Sequence, residues 1–122
     1  MQSPVLILED EALIALDIEY TLDTGGYAPI VVCNGVEEAL KQIDFALPRF
    51  AFLDLNLGHG ETSLPVARLL KDRQVPFVFL TGYTRATVDL PDDLGQVSRM
   101  SKPFKSTDLI EWARDLAEEV SD

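Results

Sequence analysis

The chain has 122 residues, 47% of them hydrophobic, which suits one compact domain with one core and excludes a disordered segment or two separate domains. Its net charge of −11, from 21 acidic and 10 basic residues, repels nucleic-acid phosphates and argues against direct DNA or RNA binding. No apolar run approaches the roughly 20 residues that cross a membrane, and Met1-Gln2-Ser3-Pro4 has neither the basic region nor the apolar stretch of a secretory signal.

The first predicted element is a strand over Val5–Leu8, running into Glu9-Asp10-Glu11. A helix follows from Glu11 to about Asp23, on which Leu13, Leu16 and Tyr20, and separately Ile14 and Ile18, recur at helical spacing. Gly25-Gly26 stops it. A second strand covers Pro29–Cys33; its lone cysteine has no partner within the chain and reads as a small strand residue, which makes the reduced cytoplasm the default compartment. Asn34 is placed to cap a second helix, with Glu37 completing a capping-box pair, and Pro48 ends that helix after Ala46.

The third strand is Phe50–Leu53, handing over to Asp54, and a glycine-containing loop, Leu57-Gly58-His59-Gly60, comes next. A third helix spans about Ser63–Lys71, with Pro65 in its first turn. The fourth strand, Phe77–Leu80, runs into Thr81-Gly82. Thr87, Val88, Pro91 and Gly95 weaken helix formation over Thr84–Gln96, so a short or irregular fourth helix is expected there. A fifth strand at Val97–Met100 leads through Ser101 to Lys102-Pro103, and a last helix runs from Ser106 or Thr107 to about Val120, carrying Leu109, Ile110, Trp112, Ala113 and Leu116.

Uninterrupted βα alternation implies a doubly wound parallel sheet, (βα)5, with helices on both faces and right-handed crossovers. The flavodoxin-like order 2-1-3-4-5 is the common solution at this size, and it sets the first strand beside the third. All strand C-termini then share one edge, where ligands bind. Glu9, Asp10, Asp54, Thr81 and Lys102 converge there, and adjacent strands about 4.8 Å apart let the carboxylates share one cation. Clustered carboxylates raise one another's pKa, a penalty that a hard divalent cation removes. Taken singly, each of these residues is an ordinary cap, turn or loop residue; their joint placement at one edge outweighs that reading.

Glu9-Asp10-Glu11, Asp54, Thr81 and Lys102-Pro103-Phe104, in that order and spacing, resemble the receiver domain of two-component response regulators over essentially the whole chain, residues 1–122. Phe79-Leu80-Thr81-Gly82-Tyr83 is similar to the subclass marked by Phe-Ala-Thr-Gly-Tyr, often found as stand-alone proteins, with Leu80 in place of the alanine. The resemblance implies that Asp54 accepts the phosphoryl group. It further implies that Glu9, Asp10, Asp54 and the backbone carbonyl of Asn56 hold Mg²⁺ or Mn²⁺, that Lys102 and Thr81 contact phosphoryl oxygens, and that the Lys102-Pro103 bond is cis. The expected partners are a sensor histidine kinase or phosphotransfer protein and a downstream protein target, with neither nucleic acid nor membrane. The protein is then a signalling module that assists its own phosphorylation and dephosphorylation, acting by protein contact or phosphorelay.

Two positions depart from the family pattern. Arg99 stands where an aromatic switch is usual, leaving Tyr83, two residues after Thr81, as the nearest aromatic that could replace it, and Glu9 replaces the commoner aspartate. His59 reads first as a solvated loop residue, and Trp112 and Tyr20 as helix core or surface. Three other functions compete. An aspartyl-phosphate phosphatase needs a second aspartate where this chain has Asn56, and a flavin-binding carrier needs a hydroxyl-rich phosphate loop where it has Glu9-Asp10-Glu11. A receiver fragment of a larger regulator, its output domain missing, stays open.

Overall fold

The computed structural model describes residues 3–82 and 90–120. Five parallel strands, β1 (Val5–Leu8), β2 (Ile30–Cys33), β3 (Phe50–Asp54), β4 (Phe77–Thr81) and β5 (Arg99–Ser101), form one sheet in the order β2-β1-β3-β4-β5. Among the described residues, four α-helices accompany them: α1 (Ala12–Thr24), α2 (Val36–Phe45), α3 (Leu64–Asp72) and α4 (Ser106–Val120). This is the flavodoxin-like arrangement expected from the alternation.

Successive strand side chains point to opposite faces, and both faces are covered, so the central strands read as unbroken apolar runs. Leu6, Leu8, Ala51, Leu53 and Phe79 pack with Ala39 and Ile43 of α2 and Val66, Ala67 and Leu70 of α3. Val5, Ile7, Phe50, Phe52, Val78 and Leu80 pack with Ile18 and Leu22 of α1 and Leu109, Ala113 and Leu116 of α4. The two apolar spacings on α1 therefore have different fates. Ile18 is buried and Ile14 packs against the core, whereas Leu13, Leu16 and Tyr20 are 82%, 60% and 70% exposed. Trp112 is half-buried against the same layer.

Two local expectations are corrected. Gly35, not Asn34, caps α2, and no side chain bonds its first turn; the Asn34 N–H instead donates to Glu38 Oε1 at 2.9 Å, so Glu38 rather than Glu37 reaches back. The strand expected at Val97–Met100 begins at Arg99, because the Val97 N–H donates to the Leu94 carbonyl at 3.2 Å and keeps that stretch in a turn. Within Thr84–Gln96, the only helical turn among the described residues is a 3₁₀ turn at Asp92–Leu94.

Leu94 anchors that turn. It is fully buried in the α2–α3 layer, while Asp93 pairs with Arg68 at 3.4 Å and its carbonyl accepts from Lys71 Nζ. Leu94→Ala should cost about 2–5 kcal/mol in urea denaturation, as a cavity opens beneath the turn. Arg68→Ala, which breaks a half-exposed pair, should cost less than about 1 kcal/mol. Similar small losses for both would mean that Leu94 is not the anchor.

Candidate functional site

β1 and β3 are paired with Leu8 beside Leu53, so the residues that follow, Glu9 and Asp54, emerge at the same level of the sheet edge. Glu9 is held by its own backbone, whose N–H donates to the Cys33 carbonyl at 3.0 Å. Its side chain is fully buried: Oε2 accepts the Glu11 N–H at 3.1 Å, and Oε1 accepts Lys102 Nζ at 2.6 Å. Lys102 comes from the far side of the sheet. Its backbone N–H donates to the Thr81 carbonyl at 2.8 Å, its bond to Pro103 is cis, and its ammonium lies 3.3 Å from Asp54 Oδ2. Asp10 is exposed, and Glu9, Asp10 and Asp54 each offer an oxygen within 4.8 Å of the others. Gly58 lies close to Asp10, since a β-carbon there would come within 3.4 Å of Asp10 Oδ2; its φ of +81° also favours glycine. Beside this cluster opens a cavity of about 580 Å³, lined by Asp54, Asn56, Gly82 and Lys102 and by the apolar Leu13 and Phe104.

No protein-family model matches the chain. The structure of SdrG from Sphingomonas melonis Fr1 is 34% identical, superimposes with a TM-score of 0.79, and is matched over 97% of this chain and 99% of SdrG. The chain belongs to the response-regulator receiver family. A receiver domain from Methanospirillum hungatei JF-1, 20% identical with a TM-score of 0.81, shares the fold. Among curated proteins, PhyR of Methylorubrum extorquens is 30% identical over 117 residues, 93% of this receiver and 44% of PhyR. The transcriptional regulatory protein PdtaR of Mycobacterium tuberculosis is 30% identical over 107 residues, 87% of this receiver and 52% of PdtaR. The receiver thus spans about half the length of the curated relatives it matches.

The electrostatics of this receiver's site follow from its burial. Asp54 is pushed up from 3.8 to about 8, first by burial and then by the hydrogen bond and negative charge of Glu9, which together outweigh Lys102. For Lys102, burial acts to lower the pKa, but the Glu9 hydrogen bond and the charges of Asp54 and Glu9 prevail and raise it. With Glu9, Asp10 and Asp54 all ionised, the site would hold more negative charge than its lysine balances. Hard carboxylate oxygens at this separation suit a divalent cation such as Mg²⁺, so the donor set fits the metal that the family implies.

The sheet edge brings Glu9, Asp10, Asp54 and Lys102 together as the sequence predicts. Thr81 ends β4, half-buried, and Asn56 lies two residues past Asp54 on the cavity wall. His59 is exposed, at a φ of 53°. Arg99 is exposed on β5, in a groove also lined by Asp108, Glu111 and Asp115 of α4. Tyr83 lies outside the described residues. Sequence reasoning missed the close Glu9–Lys102 pair; the available signal was the longer side chain of Glu9 itself. It also missed that Asp10 would crowd any β-carbon at Gly58, which no local pattern announces.

Proposed function

We propose that this receiver accepts a phosphoryl group on Asp54 from a histidine kinase or phosphotransfer protein in the cytoplasm. What supports the reading is the buried Asp54 carboxylate at the sheet edge, with Lys102 at 3.3 Å and the oxygens of Glu9 and Asp10 within 4.8 Å. Asp54 attacks phosphorus in line; the new O–P bond forms as the donor's P–N bond breaks, and the donor imidazole regains its proton from solvent. Lys102 Nζ takes up charge on the phosphoryl oxygens, and the Thr81 hydroxyl donates to another. Glu9, Asp10, Asp54 and the Asn56 carbonyl would hold Mg²⁺ or Mn²⁺, whose positive charge would offset repulsion between the carboxylate and the incoming phosphoryl group. The product signals through protein contact or passes the phosphate on. On this proposal residues 1–122 are one stand-alone receiver, and the likeness of Phe79-Leu80-Thr81-Gly82-Tyr83 to the Phe-Ala-Thr-Gly-Tyr subclass supports it.

Incubation with a small phosphodonor and Mg²⁺ should add one phosphoryl group by mass spectrometry, and chelating the cation should prevent it. Mg²⁺ in excess should also raise the melting temperature by mass action, a gain of about 2.7 kcal/mol at a hundredfold excess over Kd. Asp10→Ala should lose most of that rise, and an equal shift in both proteins would count against the metal site. A second reading, a receiver controlling an output domain on the same polypeptide, is favoured by the half-length matches to PhyR and PdtaR. An immunoblot of the native protein decides between them by its mass.

A further inference from the structure

The closest ionic contact in the site is not made by the phosphoacceptor. Lys102 Nζ sits 2.6 Å from Glu9 Oε1 and 3.3 Å from Asp54 Oδ2. Glu9 Oε2 already accepts the Glu11 N–H at 3.1 Å, and the side chain is fully buried. Both Glu9 oxygens are therefore engaged before any cation arrives. Asp10, by contrast, is exposed at the same edge. An aspartate in place of Glu9 would be one methylene shorter, roughly 1.5 Å, and would leave Lys102 beyond hydrogen-bond reach.

We propose that Glu9 is a positioning residue that latches Lys102 beside Asp54, and that a divalent cation entering the site competes with Lys102 for Glu9 Oε1. The inference rests on the metal-dependent phosphoacceptor reading above. In the cation-free receiver, the buried pair holds the ammonium in one place. When the cation draws Glu9 to itself, Lys102 is released, and the phosphoryl oxygens arriving at Asp54 are its next anionic partner. The extra methylene of Glu9 thus couples cation entry to the freeing of Lys102. A lysine resting on the phosphoacceptor alone would not provide that coupling.

The test is a double-mutant cycle on Mg²⁺ affinity, measured by calorimetry on the whole chain. Lys102→Met should tighten Mg²⁺ about tenfold when Glu9 is present, and no more than about threefold in the Glu9→Asp background. Simple repulsion between the ammonium and the cation is common to both backgrounds and cancels in the cycle. Equal tightening in both, with Mg²⁺ still bound, would overturn the latch and leave the metal site standing. Absence of Mg²⁺ binding in every variant would overturn the metal reading and the competition with it. A second measurement needs no Lys102 variant to fold. In ¹⁵N-lysine spectra, the cation-free wild type should show a hydrogen-bonded Lys102 ammonium signal that saturating Mg²⁺ shifts or removes. Glu9→Asp should shift that signal from the start, leaving Asp54 as the ammonium's partner. A resonance unmoved by Mg²⁺, or unshifted in Glu9→Asp, would overturn the proposal.

Discussion

Asp54→Asn should end phosphoryl uptake entirely and, without a divalent cation, should make the receiver more stable than the wild type. The first effect is the loss of the nucleophile: an amide oxygen does not displace a phosphodonor, and no other carboxylate ends β3. The second follows from burial. Asp54 is held at about 8 against an ordinary 3.8, chiefly because it is buried and because Glu9 lies against it. Between about pH 4 and pH 8 the unfolded chain has released this proton while the folded chain keeps it, so stability falls as pH rises through that window. Asparagine fills the same space without ionising. The two proteins should therefore melt together near pH 4 and diverge up to pH 8, where the variant should gain several kcal/mol, up to about 5, or roughly 10–20 °C. Added Mg²⁺ should close the gap by stabilising the wild type. A gap that is constant across pH would show that Asp54 is not held protonated, and persistent phosphorylation in the variant would show that it is not the acceptor.

The fold and the cluster were legible in the sequence because each rests on a local signal. Runs such as Phe50-Ala51-Phe52-Leu53 are apolar at every position, as a strand covered on both faces requires, and each chemical residue sits where such a run stops. What was not legible depends on geometry between distant segments. Leu13, Leu16 and Tyr20 have the same helical spacing as residues that face the core, and periodicity alone does not say which stripe meets the sheet. Asn34 and Glu37 match a cap pattern, but Gly35 takes the cap and Glu38 the bond, a choice made by the backbone path out of β2. β5 starts two residues late because Val97 is tied back to Leu94 by a turn whose anchor, Leu94, packs against another helix layer. The Glu9–Lys102 pair joins residues 93 positions apart, and its tightness depends on one methylene.

Lys102→Met should produce two defects that Mg²⁺ separates. Lys102 is the basic side chain that contacts Glu9 and Asp54 among the described residues, and its removal leaves those buried carboxylates without a countercharge. Breaking a buried ion pair from one side costs about 3–5 kcal/mol, far more than a surface pair. In chelator, the variant should therefore melt roughly 10–20 °C below the wild type. Asp54→Asn should stabilise this variant by more than it stabilises the wild type, since losing Lys102 pushes the Asp54 carboxyl still further above its unfolded value. Mg²⁺ should restore most of the lost stability, because a cation on Glu9, Asp10 and Asp54 replaces the missing positive charge. Phosphorylation should not recover with it. The cation would sit among the carboxylates, whereas Lys102 reaches the site from the β5 side, and no other described basic group contacts the same point. Loss of one preorganised charge on the reacting group should slow uptake from a small phosphodonor about a hundredfold, even at saturating Mg²⁺. If saturating Mg²⁺ restored both stability and the phosphorylation rate, Lys102 would be a countercharge to the carboxylates and nothing more. A rate that stayed low in a protein as stable as the wild type would assign its charge to the phosphoryl group.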